Sequence, residues 1–520
     1  MGKIWLDVTT ILSWNRPAVG IVRVEAECAR FALAERSDDI RFCRYEHGTG
    51  YLPVSTQAVE QTIERISQGH PARAHLVSDA HSSFPEPRRP LEKRLGALVQ
   101  RLTSYLPDAT KVRLLTFLGS KRESAGAVIN AARELRRALR TWRTSRSVGL
   151  TETPGIPLRD SVCCPFATGD VYMTLGLDWD QKELPVILEL KAAINFKAIF
   201  CCYDIIPVKF PHLCVGDVAA IFARYFSDVA WCADEILCIS ECSKRDLVDL
   251  LRTLGAPTPQ ATVFRLGSNI SVANGAEVSE NIKKTVGDRF VLFVSTIERR
   301  KNHETLYRAY TRLVDKGETD LPKLIFVGMP GWGVIDFLAD IRLDPRVQGL
   351  IENLSNVSDS DLAWLYRNAL FTVFPSLYEG WGLAVAESLA AGKFCLASDQ
   401  GSIPEVGEDL VEYLDPWDVP LWAERLKWYL DNPTALKNAE ERIRMHYVPS
   451  HWDAAAKSVF ERAYRLVTPT TALQIAPNGP FNDGRSRQKM AADETSSRTE
   501  APLHPSMKQS HTPCTSATLT

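Results

Sequence analysis

Two successive series of short apolar runs, each run followed by a helix-like stretch, limit this chain more than any other feature. The first series opens at residues 4–10, Ile-Trp-Leu-Asp-Val-Thr-Thr, and passes a loop with Pro17 and Gly20. It turns helical from Ile21 to Leu33, where Val22, Ala26, Ala29 and Leu33 recur at helical spacing. It resumes at Asp170, with strands expected at 170–176, 197–205, 235–240 and 262–266 and a helix over 243–254 behind the cap-forming Ser240 and Ser243. A polar stretch, Asn269 to Asp288, reads as a linker. The second series then places strands at 290–296, 323–328, 370–374 and 394–398 and helices at 302–316, 358–368, 382–391 and 419–431. Runs such as Phe290-Val-Leu-Phe-Val294 lack polar alternation, as expected of parallel strands covered on both faces. The expected fold class is α/β: two Rossmann-like, doubly wound domains facing a cleft, with ligands at the carboxyl ends of the strands.

Residues 57 to about 160 interrupt the first series. Between Glu86 and Arg146 there are 15 Lys and Arg against 5 Asp and Glu, an excess of 10 positive charges. Leu91, Leu95, Leu98, Leu102 and Leu106 form one apolar stripe, and Val128, Ala132, Leu135, Leu139 and Trp142 another. This is expected to be a basic helical insertion in the N-terminal domain. Its stripes either pack on that domain, the preferred reading, or lie on an anionic membrane face. Residues 467–520, rich in Thr, Ser and Pro, are expected to be a disordered tail.

The remaining composition mainly excludes. The formal net charge is −2, so a generic nucleic-acid binder is disfavoured. The 12 cysteines are scattered with no C-x-x-C pair, which argues against a zinc ribbon or redox motif and for reduced thiols in a cytoplasmic protein. No apolar stretch is long enough to span a bilayer, and Met1 to Asp7 lacks the apolar core of a signal peptide.

The most informative string is Pro375-Ser-Leu-Tyr-Glu-Gly-Trp-Gly-Leu-Ala-Val-Ala-Glu387, where a strand passes through a loop into a helix. Gly380 and Gly382 permit close backbone approach to a ligand. The helix start at Leu383 offers unpaired N–H groups and positive potential that suit a phosphate. Glu379 before the helix and Glu387 in its second turn can each accept hydrogen bonds from hydroxyl groups on either side of that phosphate. Arg300 and Lys301, after the first strand of the second series, can neutralise a diphosphate. Read singly, each of these charged residues is better explained as a solvated side chain; the whole string is not.

The chain resembles retaining GT-B glycosyltransferases of family 4, the glycosyl transferases group 1, and within them bacterial mannosyltransferases. The string above is similar to that family's Pro-Ser-x-x-Glu-Gly-Phe-Gly-Leu, with Trp381 in place of Phe. Ser295-Thr-Ile-Glu-Arg-Arg-Lys-Asn302 resembles its Gly-Thr-x-Glu-Pro-Arg-Lys-Asn. Gly20-Ile-Val-Arg-Val-Glu25, Cys202-Tyr-Asp-Ile-Ile-Pro-Val208 and Ile239-Ser-Glu-Cys-Ser-Lys-Arg-Asp246 resemble three further strings of the first domain. The resemblance covers roughly 1–56 and 161–466. It implies an N-terminal acceptor-side domain over 1–275, a nucleotide-sugar domain over 285–445 and a crossover helix over 446–466.

The resemblance also implies roles. Glu379 contacts the donor sugar and, with Arg300 and Lys301, forms the catalytic set. Glu387 holds the nucleotide ribose. Gly380, Trp381, Gly382, Leu383, Gly20, Tyr203, Asp204 and Gly328 join the donor site, the last beside a Gly331-Trp-Gly333 turn. Val357 and Leu362 are candidate walls for the base. Tyr203 stands where the family often has His, and a tyrosine cannot act as a base near neutral pH. The implied reaction is hexosyl transfer with retention, in surface polysaccharide synthesis. The donor would be GDP-mannose first and UDP-hexoses next, the acceptor a glycan or lipid-linked saccharide. No metal and no cofactor beyond the donor are expected. Alternatives are a non-catalytic sugar-nucleotide binder, an epimerase of the same fold and, ranked lower, a two-carboxylate hydrolase.

Overall fold

The computed structural model describes residues 2–15, 18–35, 38–67, 162–270 and 277–467. The basic stretch 86–146 and the tail from 468 onward lie outside the described residues; of the insertion, only a helix at its start, Thr56–Ser67, is described.

The first domain is built on a seven-stranded sheet. Its strands are β1 (Ile4–Asp7), β2 (Ile40–Glu46), β3 (Gly50–Val54), β4 (Val171–Thr174), β5 (Lys197–Cys202), β6 (Glu235–Cys238) and β7 (Gln260–Val263), in the order β3-β2-β1-β4-β5-β6-β7. Among the described residues only the β2–β3 edge pair is antiparallel. The second sheet comprises β8 (Phe290–Val294), β9 (Lys323–Val327), β10 (Ile351–Leu354), β11 (Thr372–Phe374), β12 (Cys395–Ser398) and β13 (Glu412–Leu414), in the order β10-β9-β8-β11-β12-β13, all parallel. Both sheets wind outward in two directions from a central pair, β1/β4 and β8/β11. The crevice at such a reversal, outside the carboxyl ends, is where ligands bind in doubly wound sheets.

Central strands such as β4, β6 and β12 are buried along their whole length, because helices cover both faces. Helices Gly20–Glu35, Glu241–Leu254, His303–Asp315, Asp359–Asn368, Leu383–Ala390 and Val419–Asp431 stand where their periodicity places them. One expectation fails. The stretch read as a polar linker contains a helix, Glu280–Val286. Val286 is fully buried and Ile282, one turn earlier, packs partly on the same core around Phe290 and Leu365. Two apolar residues at one helical step were enough to order a segment whose other side chains are polar.

The last helix among the described residues, Trp452–Leu466, returns to the first domain and packs along Gly20–Glu35, with the Phe31 and Phe460 rings stacked 5.6 Å apart. Among the described residues no helix is long and apolar enough to cross a membrane, and no group of three or more His, Cys, Asp or Glu is placed to hold a metal ion.

Candidate active site

The site forms where β8 and β11 end side by side. β8 leads into a short 3-10 turn, Arg299–Lys301, and β11 leads into the loop 375–382. Arg300 Nη1 lies 2.9 Å from Glu379 Oε2, and Lys301 Nζ lies 2.7 Å from Glu379 Oε1. Ser376 donates its hydroxyl to the same Oε1 at 2.5 Å, and Arg300 also pairs with Glu298 at 2.9 Å. Burial alone would raise the Glu379 pKa, but the two cations overcome it and hold the carboxyl at about 2. Burial pushes the Lys301 amine down, with Glu379 opposing; Arg300 is held further into its charged form despite burial, by Glu379, Glu298 and Asp204. The resting cluster of two cations and two carboxylates is formally neutral.

The loop that presents Glu379 is clamped from β12. Ser398 donates to the Ser376 carbonyl at 2.5 Å, and Ser402 donates to the Glu379 carbonyl through both its N–H, at 3.1 Å, and its hydroxyl, at 3.0 Å. A Cβ on Gly401 would lie 2.4 Å from the Glu379 carbonyl oxygen, so only glycine fits there. Gly382, with φ near 100°, turns the chain into the helix Leu383–Ala390, whose first N–H groups have no intrahelical partner. Glu387 lies in that helix. It is 7% exposed and Glu379 is 6% exposed, so neither carboxylate is a solvated side chain. Glu387 Oε2 accepts from the Tyr366 hydroxyl at 2.9 Å, and Oε1 faces Arg23 of the first domain at 4.0 Å. Burial raises its pKa to about 7, against the pull of Arg23 and Tyr366.

The first domain meets this loop closely. A Cβ on Gly380 would stand 2.5 Å from the Tyr203 carbonyl oxygen and 3.0 Å from the Asp204 Cβ. Asp204 accepts from the Ile206 N–H at 3.0 Å, and burial raises its pKa although Arg300 opposes it. The Tyr203 hydroxyl turns inward and donates to the Leu175 carbonyl at 2.5 Å. A cavity of about 330 Å³ opens between the domains against Arg300, Glu298, Asp204 and Tyr203, with aromatic walls from Trp179, Phe222, Phe226 and Trp332. Ile21, next to Gly20, reaches the same cavity.

Other expected site residues are placed differently. Gly328 lets β9 close on the 295 loop, since a Cβ there would lie 2.0 Å from the Ser295 carbonyl oxygen. Trp381 is buried among core side chains with its indole N–H unpartnered, and Leu383 is half-buried beside them. Val357, just before the helix Asp359–Asn368, and Leu362 within it are partly buried against the core that contains Phe290.

Residues 276–446 match the family model for glycosyl transferases group 1. Over these residues the chain resembles a glycosyl transferases group 1 domain. The chain is 27% identical over 234 residues to the serotype-specific mannosyltransferase WbdA of Escherichia coli, a match over 43% of this chain and 28% of that protein. It is 31% identical over 188 residues to the O-antigen chain mannosyltransferase B of the same organism, over 35% of this chain and 48% of that protein. The matches therefore span less than half the length of these curated relatives. Among solved structures, the sucrose-phosphate synthase of Thermosynechococcus elongatus superposes with a TM-score of 0.52 at 15% identity, covering 90% of this chain and 99% of that one. Anabaena Alr3699/HepE in complex with UDP and glucose gives 0.50 at 13% identity, covering 89% and 100%. At such identity the likeness is one of fold, and the fold is GT-B.

Within the second domain, Ser376, Ser398, Gly401 and Ser402 support Glu379, and the sequence alone gives them no role. A signal exists for two of them, since Gly401-Ser402 lies in the turn just beyond a strand, after Asp399 and Gln400. Arg23 stands in the Gly20 string, and only the docking of the two domains brings it to Glu387.

Proposed function

We propose that the protein is a glycosyltransferase that moves a hexosyl unit from a nucleotide-diphosphate sugar to an acceptor hydroxyl with retention at the anomeric carbon. One observation carries the reading. An ionised, buried carboxylate, Glu379, is gripped by Arg300 and Lys301 at the reversal point of the second sheet, beside the start of the helix Leu383–Ala390. A diphosphate at that helix start meets a positive dipole end and two cations already desolvated for it. In the resting protein those cations are occupied by Glu379 and Glu298. An arriving diphosphate takes over part of that pairing, and Glu379 turns to hydroxyl donors on the sugar while Glu387 accepts from the ribose.

The bond from the anomeric carbon to the phosphate oxygen breaks with its electron pair going to the phosphate. The acceptor oxygen bonds to the carbon on the same face, and its proton passes to the departing phosphate oxygen. No protein nucleophile is required; Arg300 and Lys301 stabilise the growing charge on the leaving group. The aromatic walls of the interdomain cavity suit an acceptor sugar ring, with the Asp204 carboxylate at hand for its hydroxyls. The names of the relatives, a serotype-specific and an O-antigen chain mannosyltransferase, support mannose as the sugar and a surface polysaccharide as its destination; GDP-mannose as donor, with UDP-hexoses next, and a lipid-linked acceptor belong to the proposal. That acceptor would place the work at the inner face of a membrane.

A second reading, a sugar-nucleotide binder without turnover, is favoured by the Tyr203 hydroxyl being committed to the Leu175 carbonyl. Thermal shift with GDP, UDP, GDP-mannose and UDP-hexoses, followed by acceptor-free hydrolysis and NMR of the product anomer, separates the two. Stabilisation by one nucleotide together with hydrolysis or transfer is the expected result. Stabilisation without turnover for every donor favours the binder. An inverted anomer removes retention, and no response to any nucleotide diphosphate ends both readings.

A further inference from the structure

The residue before Glu379 belongs, by its side chain, to the other domain. Tyr378 extends out of the loop 375–382 into a socket of the first domain, where its hydroxyl donates to Asp246 Oδ2 at 2.6 Å and accepts from Lys209 Nζ at 2.7 Å. Lys209 and Asp246 also pair directly at 2.7 Å, and the Phe210 ring packs on the Tyr378 ring at 4.8 Å. Tyr378 is 8% exposed. Its backbone faces the donor site: the Tyr378 carbonyl accepts from Arg300 Nη1 at 2.7 Å, and the preceding Leu377 N–H donates to the Arg300 carbonyl at 2.8 Å.

A second clasp sits one helical turn away. The helix Glu241–Leu254 of the first domain receives the Glu405 carboxylate of the second domain on its opening N–H groups, at 2.8 Å to Glu241 and 2.7 Å to Cys242. Ser243, on the same turn, has its hydroxyl 2.8 Å from the Tyr203 carbonyl and 3.1 Å from the Gly380 carbonyl. The spacing Ser240-x-x-Ser243-x-x-Asp246 thus puts a helix cap, a bridge and a carboxylate on one helix edge facing the second domain.

We propose that Tyr378 is a positioning residue that ties closure of the two domains to the placement of Glu379 and Arg300. With Tyr378 seated between Lys209 and Asp246, the loop is held in the geometry described above. When the domains part, the phenol leaves its socket and the loop loses its fixed anchor. Opening and closing of the two domains is a two-state equilibrium, and the population of the ordered loop follows the state in which the phenol is seated. The consequence for turnover rests on the function proposed above; the latch itself does not.

The test is Tyr378→Phe, which removes the hydroxyl and keeps the ring, while Lys209 and Asp246 stay paired with each other so that no charge is orphaned. Hydrogen exchange followed by mass spectrometry reads opening in the peptide 239–246, because the Glu241 and Cys242 N–H groups are held only by the facing domain. Exchange there is expected to quicken about tenfold, the size of one hydrogen bond to a charged group, with β5 and β6 unchanged. Glu405→Gln, which weakens the second clasp, should shift the same peptide in the same direction. In steady state, Tyr378→Phe should lower kcat about tenfold and leave the nucleotide Kd within twofold. Unchanged exchange at 239–246, or faster exchange spread through both sheets, overturns the latch. If the wild-type protein transfers from no nucleotide sugar, the function reading fails, and the exchange result alone still decides the latch.

Discussion

Glu379 and Glu387 lie eight positions apart in one string, and the fold drives their acidities in opposite directions. Glu379 has two cations within 3 Å, and its folded pKa falls to about 2. A depressed carboxylate contributes stability above its unfolded value, about 4.5, and loses that contribution as pH falls toward 2. Glu387 has a phenol and a guanidinium at 4.0 Å, too little to offset burial, and its folded pKa rises to about 7. A raised carboxyl favours the folded state at low pH, and that advantage is lost as pH rises through 7. Glu387→Gln should therefore raise Tm relative to wild type by a few degrees at pH 8 and hardly at all at pH 5. If ionised Glu387 is what accepts from the ribose hydroxyls, nucleotide affinity in the wild type should tighten about tenfold from pH 6 to pH 8, following the ionised fraction. In Glu387→Gln that pH dependence should vanish; calorimetric titration at both pH values checks it. Glu379→Ala leaves Arg300 and Lys301 buried without their shared partner, a loss of about 3–5 kcal/mol expected for breaking a buried pair. Urea unfolding should show it at pH 7 and much less at pH 3.

At the scale of elements, legibility followed burial. Strands β4, β5, β6, β8, β9, β11 and β12 are apolar runs because helices cover both faces, so they could be read without knowing their neighbours. The edge strands β3, β10 and β13 mix polar and apolar residues, as does β2 with its alternating burial, and the sequence does not mark them as strands; the edge strand β7, expected at 262–266, is the exception and lies at Gln260–Val263. One of their faces or edges is left to solvent, so nothing in composition separates them from loops. The site divides along the same line. Glu379, Glu387, Arg300 and Lys301 were visible because one strand–loop–helix junction and one strand end carry them. The Gly401–Ser402 clamp and the Tyr378 socket were not, since each is a contact between segments far apart in the chain. Gly401→Ala tests the clamp. It places a methyl 2.4 Å from backbone and forces a residue other than glycine to a φ near 68°, so the loop under Glu379 must move. A fall in turnover of at least about tenfold is expected, with a Tm loss smaller than that of Glu379→Ala. Wild-type kinetics would mean that the clamp does not set the carboxylate's position.

For the whole molecule, the chain crosses between its domains twice, and the second crossing makes the first domain depend on the end of the sequence. Ser268 donates its N–H to the Ser450 carbonyl at 2.8 Å, Trp452 donates its N–H to Asn269 Oδ1 at 3.1 Å, and Gly267 leaves room for the Trp452 indole. The Arg23 guanidinium stands 5.4 Å from the centre of that indole, on the way to Glu387. Beyond this junction, Ala456, Val459, Phe460 and Ala463 bury one face of the last helix against Gly20–Glu35. The helix follows the second domain in sequence but packs on the first. Phe460→Ala removes a buried ring stacked on Phe31, a change worth about 3–5 kcal/mol where the site cannot collapse. In calorimetry the transition that nucleotide leaves unmoved, that of the first domain, should fall on the order of 10 °C. The nucleotide-responsive transition should keep its Tm, because Glu379, Arg300 and Lys301 all lie within the second domain. If the nucleotide-responsive transition falls and the other stays, the helix Trp452–Leu466 stabilises the second domain instead, and the coupling runs the other way.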